Sequence, residues 1–172
     1  MSRAMLVALL LSLPFTANTV ASAAAPAPDH AEIRAVIESF RTSIIQKDRA
    51  RFLALFVQPD LPWQSVLDDA SLAQLQQKRP EAIKARFKQD NNPVAFIDGI
   101  VKSSNTSEET FSNIRIDADG DVAAVSFDYA FLSNGRQTNS GQESWLMVRT
   151  EAGWKITTLA YSVKLAPAPE AR

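Results

Sequence analysis

Two carboxylates in the last third of the 172-residue chain, Asp128 and Glu143, are the strongest candidates for acid–base chemistry. Asn134-Gly135 favours a two-residue type I′ turn, because both central residues of that turn need a positive φ. With this turn, Ser126 would lie opposite Glu143. Side chains alternate across a sheet, so both acids would lie on one face. Burial among apolar neighbours would raise the pKa of either acid and make it a suitable base near neutral pH.

The alternative for Asp128 and Glu143 is a place at the sheet rim, bonded to Thr, Ser or Lys side chains. The same register places Tyr129 and Tyr161 on the opposite face from the two acids. There they could form a polar pair in an aromatic pocket, or serve as core or interface residues. Trp63 could stack on a flat ligand at a pocket mouth, with a core position as the alternative. The predicted pocket residues are Trp63, Phe127, Tyr129, Trp145 and Tyr161.

Other residue types argue against several kinds of site. The chain has no Cys, which excludes thiol catalysis, thiolate zinc sites and iron–sulfur clusters. Its single histidine, His30, is predicted to be an exposed residue at the start of the first helix, so a Ser-His-Asp triad is not expected. Asp117, Asp119 and Asp121 alternate around Gly120, but they do not complete a calcium loop and indicate a hairpin turn. We expect no metal and no cofactor.

The charge balance argues against a nucleic-acid partner. The chain carries 18 Lys and Arg against 19 Asp and Glu, a formal net charge of −1. No basic run stands out, so neither nucleic acid nor another polyanion is expected as a partner.

The N-terminus has the pattern of an export signal. Arg3 precedes an apolar stretch from Met5 to Phe15, and Ala21-Ser22-Ala23 fits the small-x-small cleavage pattern. The alternative, a membrane anchor, needs about 20 apolar residues, and Pro14 already interrupts the run. We predict a periplasmic or secreted protein, cleaved after Ala23, with no membrane span in the mature chain. The predicted parts are a signal peptide at 1–23, a flexible leader at 24–28, one domain at 29–165 and a flexible tail at 166–172.

The elements that must position the candidate residues follow from apolar periodicity. Ile33, Ile37, Phe40 and Ile44 step by four, three and four, so they share one face of a helix. After residue 108, strand-like stretches are separated by turn residues, which predicts an antiparallel meander. A strand is the alternative for the last predicted helix, which contains Gly99. Predicted helices cover 29–47, 49–57, 70–78, 80–88 and 92–101, a short strand covers 63–67, and the meander covers 108–164.

Both faces of the predicted sheet carry many apolar residues. One face would hold Phe127 and Tyr129, and the other would hold Trp145 and Met147. Helices can cover only one face, so the other is predicted to pack against a second copy of the chain in a homodimer.

The order of these elements resembles the nuclear transport factor 2-like superfamily, and its secreted SnoaL-like branch in particular. The resemblance covers residues 29–164 and includes the segments DGDVAAVSFDY, GQESWLMV and GWKITTLAYS, with Phe52 and Leu55 after the Gln46-Lys47-Asp48 junction. It implies an α+β fold in which N-terminal helices pack on a strongly bent antiparallel sheet, shaped as a cystatin-like cone with a pocket at its open end. It also implies a frequent dimer packed through the sheets.

Members of that superfamily include ketosteroid isomerases, scytalone dehydratases, polyketide cyclases and many binding domains, so the fold does not decide the function. The sequence favours a periplasmic, non-catalytic domain that binds a small apolar or amphipathic ligand, or a protein partner. The alternative is a lyase or isomerase of the ketosteroid isomerase or polyketide cyclase type, with Asp128 or Glu143 as base. A structural dimer without a pocket is a third possibility.

Overall fold

A computed structural model describes residues 30–167 of the chain. The predicted signal peptide, the leader and most of the predicted tail lie outside these residues. The helices are α1 (Ala31–Gln46), α2 (Arg49–Leu53), α3 (Asp69–Gln76) and α4 (Pro93–Lys102). The strands are β1 (Gln64–Leu67), β2 (Ser107–Ala118), β3 (Val122–Ser133), β4 (Arg136–Thr150) and β5 (Gly153–Leu165).

Helix α1 forms as its periodicity predicts. Its residues Ile33, Ile37, Phe40 and Ile44 are all buried, and they give the helix one apolar face. The helix ends at Lys47, which adopts a left-handed conformation with φ 55°. Lys47 donates its backbone N–H to the Ile44 carbonyl, which completes a typical C-terminal cap.

The later helices differ in how well apolar periodicity predicts them. Helix α4 forms where it was predicted, and the Asn92 side chain caps it by accepting a hydrogen bond from the Ala95 N–H at 2.9 Å. Helix α2 is shorter than predicted. The predicted helix at 80–88 is wrong, because turns and irregular backbone occupy this segment. Its two large apolar residues, Ile83 and Phe87, are 57% and 66% exposed, so no packed face stabilises a helix there.

The strands form one five-stranded sheet in the order β1-β5-β4-β3-β2. Strands β2 to β5 are an antiparallel meander, as predicted, whereas β1 adds to β5 in parallel. The architecture is therefore α+β, with helices preceding an open mixed sheet.

The predicted hairpin turn is present, but the predicted register holds only next to it. Asn134 and Gly135 have φ values of 50° and 72°, and Ser133 pairs with Arg136. A bulge follows, since Leu132 pairs with Gln137 while Phe131 pairs with Asn139. Thr138 is the extra residue, and its hydroxyl donates to the Phe131 carbonyl at 3.2 Å.

This bulge reverses the faces that the sequence predicts for β4. Glu143 pairs with Phe127, and Trp145 pairs with Val125, so these residues share one face. The prediction that Asp128 and Glu143 share a face is therefore wrong. A second register shift near Leu146 lets Leu159 pair with Trp145 and Tyr161 with Glu143, which brings β5 into the same arrangement.

The inner face of the sheet, which carries Val125, Phe127, Trp145 and Leu159, packs against the helices. The Phe40 ring of α1 lies 5.0 Å from that of Trp145, measured between ring centroids. The outer face mixes apolar side chains with small and polar ones, and two of its apolar residues, Val122 and Leu146, are 51% and 50% exposed. Its residues include Val122, Ala124, Ser126, Ser144, Leu146, Thr158 and Ala160.

None of the helices within residues 30–167 is both long and apolar enough to cross a membrane.

Candidate functional site

Two buried glutamates on the inner face define the candidate site. Glu109 lies in β2 and pairs with Phe131, and Glu143 lies in β4 and pairs with Phe127. Phe127 and Phe131 alternate on the same side of β3, so both carboxylates point to the helix-covered face. Each glutamate is only 4% exposed. Acidic side chains are rarely buried this deeply without a role in pairing or function.

The two glutamates line a cavity of about 260 Å³, which we call the glutamate cavity. Most of its wall is aromatic or aliphatic, and two tyrosines supply further polar groups. It is lined by Phe40, Trp63, Phe96, Glu109, Tyr129, Phe131, Asn139, Glu143, Leu159, Tyr161 and Val163. A largely apolar cavity with a few convergent polar groups is the usual form of a small-molecule site.

The Glu143 carboxylate is held by a neighbour on its own strand. The Trp145 indole Nε1 donates to Glu143 Oε1 at 2.5 Å, because residues two apart on a strand share a face. Burial raises the pKa of Glu143 to about 7, although the indole hydrogen bond opposes that rise. Glu143 therefore changes its protonation state near neutral pH, as a general base must.

The pKa of Glu109 is raised as well. Burial, and then the negative charge of Glu143, raise the pKa of Glu109 well above its usual value. Two carboxyl groups that interact in one apolar site do not both ionise readily. The pair thus holds a proton near neutral pH. That proton belongs on Glu109, since the indole hydrogen bond favours the ionised form of Glu143.

Two tyrosines add hydroxyl groups to the polar part of the cavity. The Tyr129 hydroxyl donates to the Ser162 carbonyl at 3.0 Å, and the Tyr161 hydroxyl donates to Asn91 Oδ1 at 3.2 Å. Their rings meet edge to face with centroids 6.2 Å apart. Burial raises the pKa of both phenols, so both remain neutral hydrogen-bond donors across the physiological range.

The absence of a side chain at Gly141 allows the Tyr129 hydroxyl to reach its acceptor, the Ser162 carbonyl. A Cβ at this position would overlap the backbone carbonyl oxygen of Ser162 and would lie 2.8 Å from the Ser162 Oγ. The missing side chain lets the Ser162 backbone approach β4. Ser162 then accepts from Tyr129 through its carbonyl and from the Gln142 N–H through its hydroxyl at 2.9 Å.

Trp63 is held at the cavity by the segment that precedes α4. The Trp63 backbone N–H donates to the Asn91 backbone carbonyl at 2.6 Å, and Asn91 Nδ2 donates to the Trp63 backbone carbonyl at 3.0 Å. Asn91 also accepts from Tyr161, so one residue connects two walls of the glutamate cavity.

The residues predicted from the sequence to form the site do not all lie together in the structure. Trp63, Tyr129, Tyr161 and Glu143 line the glutamate cavity, whereas Asp128 lies on the outer face. Asp128 Oδ2 accepts from Asn113 Nδ2 at 2.7 Å. Phe127 and Trp145 are fully buried in the core and do not line the cavity.

Glu109 is the site residue that sequence reasoning missed. A signal was available, because Glu109 and Phe111 lie two residues apart on one strand and so share a face. The opposite face of β2 would then carry Glu108, which is consistent with one buried and one accessible acid. That Glu109 and Glu143 lie in the same cavity could not be predicted from residue spacing, because it depends on the bulge at Thr138.

The remaining candidate groups do not join the cavity. His30 precedes α1 and lies near the turn at Asp119-Gly120. Among residues 30–167, no group of three or more His, Asp or Glu side chains could hold a metal ion.

Comparisons with known proteins identify the architecture. No protein-family sequence model matches the chain, and no curated protein matches it significantly in sequence. Many solved structures do match in shape. A nuclear transport factor 2-like superfamily protein of Salmonella enterica aligns with a TM-score of 0.53 at 18% identity, over 83% of this chain and 95% of that one.

Two further structures give similar values. A scytalone dehydratase-like protein of Novosphingobium aromaticivorans aligns with a TM-score of 0.55 at 17% identity, over 83% of this chain and 88% of that one. The protein LinA aligns with a TM-score of 0.54 at 10% identity, over 83% and 90%. The chain therefore has the nuclear transport factor 2-like, cystatin-like α+β fold predicted from its sequence. At these identities the likeness concerns the fold.

Proposed function

We propose that this chain, with its nuclear transport factor 2-like fold, is an enzyme that transfers protons within a small, largely apolar cyclic substrate, as lyases and isomerases do. The single observation that carries the proposal is the pair of glutamates buried together in an apolar cavity. Buried, interacting acids cost stability, and they are concentrated at functional sites. A structural role alone would be served better by apolar residues at both positions.

The pair supplies a base and an acid in one cavity. In the proposed reaction, ionised Glu143 takes a proton from a carbon next to a carbonyl group. The electrons of the broken C–H bond move towards the carbonyl oxygen, which receives the proton of Glu109. An isomerase would return a proton to a different carbon, and a lyase would expel a leaving group. Tyr161 is a further donor at the cavity wall. Transfer of this kind by positioned side chains typically contributes about 10²–10⁴-fold to a rate.

The cavity limits the size of the substrate. Its volume of about 260 Å³ is slightly below the range of roughly 300–1,000 Å³ that is usual for small-molecule pockets. The rings of Phe40, Trp63 and Phe96 favour a flat, apolar body. One or two fused rings with a carbonyl group is the class that we propose.

Solvent hydrogen exchange tests the proposal without a known product. Small cyclic ketones are incubated with the protein in deuterated buffer, and NMR follows loss of the α-proton signal. We expect the wild-type rate to rise with pH and to level off above about 7, because the base form of Glu143 is then fully populated. Glu143→Gln removes the base and is expected to abolish exchange.

Asp128→Asn is the matched control, since it removes a carboxylate one residue pair away on the outer face. It should leave the exchange rate unchanged. Equal exchange by wild type and Glu143→Gln would contradict the proposed catalytic role.

The aromatic wall of the cavity favours a second candidate, a non-catalytic binding domain for a small apolar ligand. Ligand binding by the wild type without any exchange would support that candidate.

We also propose that the protein is exported to the periplasm and that it assembles through its sheet. The motivation for export is the apolar stretch before Ala21-Ser22-Ala23. Expression of the whole chain in a bacterium should give a mature protein that starts at Ala24, as checked by intact mass. A mature protein that retains Met1 would contradict this proposal.

A further inference from the structure

A basic segment next to the glutamate cavity bears on the chemistry of the substrate. Residues 78–91 carry five cations against two carboxylates, although the whole chain has a net charge of −1. Much of the segment is exposed, and it has no regular secondary structure. Its charged residues are Lys78, Arg79, Glu81, Lys84, Arg86, Lys88 and Asp90.

Much of this segment lines a second cavity, of about 350 Å³, which we call the basic cavity. Tyr161 lines both cavities, so the two cavities adjoin at this side chain. Its hydroxyl donates to Asn91, which also lines the basic cavity. The glutamate cavity and the basic cavity are therefore neighbours within one continuous region of the fold.

The basic cavity is lined by four cations and two carboxylates, Glu81 and Asp90, and most of the cations form no ion pair in the described part of the chain. Within residues 30–167, Arg79, Arg86 and Lys88 form no ion pair, whereas Lys84 Nζ lies 2.6 Å from Asp69 Oδ1. Unpaired cations around a concave surface raise the local concentration of anions. Arginine also provides a planar set of donors that matches a carboxylate.

The two cavities would orient an anionic ligand in only one way. The glutamate cavity carries negative charge, so it repels an anionic group and accepts an apolar body. The basic cavity attracts the anionic group. The Tyr161 hydroxyl lies between the two and could exchange its neutral acceptor, Asn91, for an anionic oxygen, which is a stronger acceptor.

We propose that the substrate is an organic anion, with its apolar body in the glutamate cavity and its carboxylate in the basic cavity. This inference rests on the proposed use of the glutamate cavity as the substrate site. It adds the charge of the substrate and the direction in which the substrate lies.

Calorimetric titration with a matched pair of probes tests the inference. 2-Naphthoate and 2-naphthamide share a flat apolar body and differ in charge. We expect the wild type to bind 2-naphthoate more tightly at low salt, and we expect added salt to weaken only that binding. The triple variant Arg79→Gln/Arg86→Gln/Lys88→Gln should lose about tenfold in affinity for 2-naphthoate, the size expected for three partly exposed charge contacts. Its affinity for 2-naphthamide should not change.

The control triple variant Arg34→Gln/Lys102→Gln/Arg115→Gln changes the net charge equally but touches neither cavity. It should keep the wild-type affinity for both probes. An equal loss of 2-naphthoate binding in the two triple variants would overturn the inference, because a general charge effect would explain it.

The outcomes also separate this inference from the proposed function. Binding of 2-naphthamide with no preference for 2-naphthoate would overturn the anionic substrate and leave the glutamate cavity as a binding site. Failure of both probes to bind would overturn the inference, while hydrogen exchange would still test catalysis by Glu143. Binding of 2-naphthoate by a Tyr161→Phe variant should weaken if the hydroxyl contacts the anion.

Discussion

Asp128 and Glu143 are the same kind of group in nearly the same place, yet they lie in opposite surroundings. Asp128 pairs with Gln142 across β3 and β4, and the next pair along is Phe127 with Glu143. Asp128 points to the outer face, where it accepts from Asn113. Glu143 points to the inner face, where it is buried with Glu109. The sheet itself separates a solvated carboxylate from one that can act as a base.

One β-bulge creates this difference. If Thr138 paired regularly with Phe131 instead of bulging, β4 would keep the register of the turn, and its side chains beyond Thr138 would exchange faces. Glu143 would then share the outer face with Asp128, and Trp145 would leave the core. The bulge thus places Glu143 in the cavity, which agrees with the frequent position of bulges next to functional sites.

The two faces should respond very differently to loss of a leucine. Leu159 of the inner face is 2% exposed, whereas Leu146 of the outer face is 50% exposed. Leu159→Ala should lower the free energy of unfolding by about 2–5 kcal/mol, because it leaves a cavity in the core. Leu146→Ala should cost less than about 1 kcal/mol. Urea unfolding followed by tryptophan fluorescence measures both values.

Two variants of Leu146 test the predicted homodimer. If the outer face packs against a second copy, Leu146 is buried in the assembly. Leu146→Ser would then weaken self-association in analytical ultracentrifugation, and Leu146→Ala would destabilise the protein more at high concentration, where the wild type is dimeric, than at low concentration. A wild-type protein that stays monomeric at all concentrations would remove the dimer.

Much of the fold could be predicted because the signals were local. The apolar spacing of α1, the Asn92-Pro93 start of α4 and the Asn134-Gly135 turn each depend on a few neighbouring residues. Local signals of this kind fix element type and the position of a turn. They placed the meander after the helices, which is most of the architecture.

The site could be predicted less well because it depends on non-local pairing. Glu109 and Glu143 meet across three strands, and a one-residue bulge that no local pattern marks decides the outcome.

The helix predicted at 80–88 does not form, for a related reason. Its apolar residues, Ile83 and Phe87, find no surface to pack on, so the apolar spacing there does not produce a helix. A charge count over the whole chain also hid the basic character of residues 78–91.

The buried pair should make stability depend on pH in an unusual direction. Burial raises the folded-state pKa of Glu143 from 4.5 to about 7, so the folded protein binds more protons than the unfolded chain between these values. Its contribution to stability is greatest below pH 4.5 and is lost as the pH rises through about 7. Glu143 alone should lower the free energy of unfolding by up to about 3 kcal/mol between pH 5 and pH 8. Glu109 acts in the same direction.

Urea unfolding at several pH values measures this slope. Glu143→Gln should flatten it and should be more stable than the wild type at pH 8, because no charge is then buried at that position. Asp128→Asn, the outer-face control, should keep the wild-type slope. A wild-type protein whose stability is constant or increases from pH 5 to pH 8 would contradict the raised pKa of Glu143.

Two glycines sharpen the comparison between crowded and open positions. Gly141 lies where β4 meets the Ser162 backbone, and a Cβ there would overlap the Ser162 carbonyl oxygen. Gly99 lies inside α4, and a Cβ there would meet nothing within 4 Å. Gly141→Ala should therefore cost about 1–3 kcal/mol, the range for overpacking, while Gly99→Ala should gain about 0.5–1 kcal/mol from helix preference. Thermal unfolding of both variants measures these effects.

Gly141→Ala should also disturb the hydrogen bond from Tyr129 to Ser162, because that carbonyl must move. An undiminished stability of Gly141→Ala would mean that β4 and β5 can separate here at little cost, so that the wall of the cavity is not fixed by this contact.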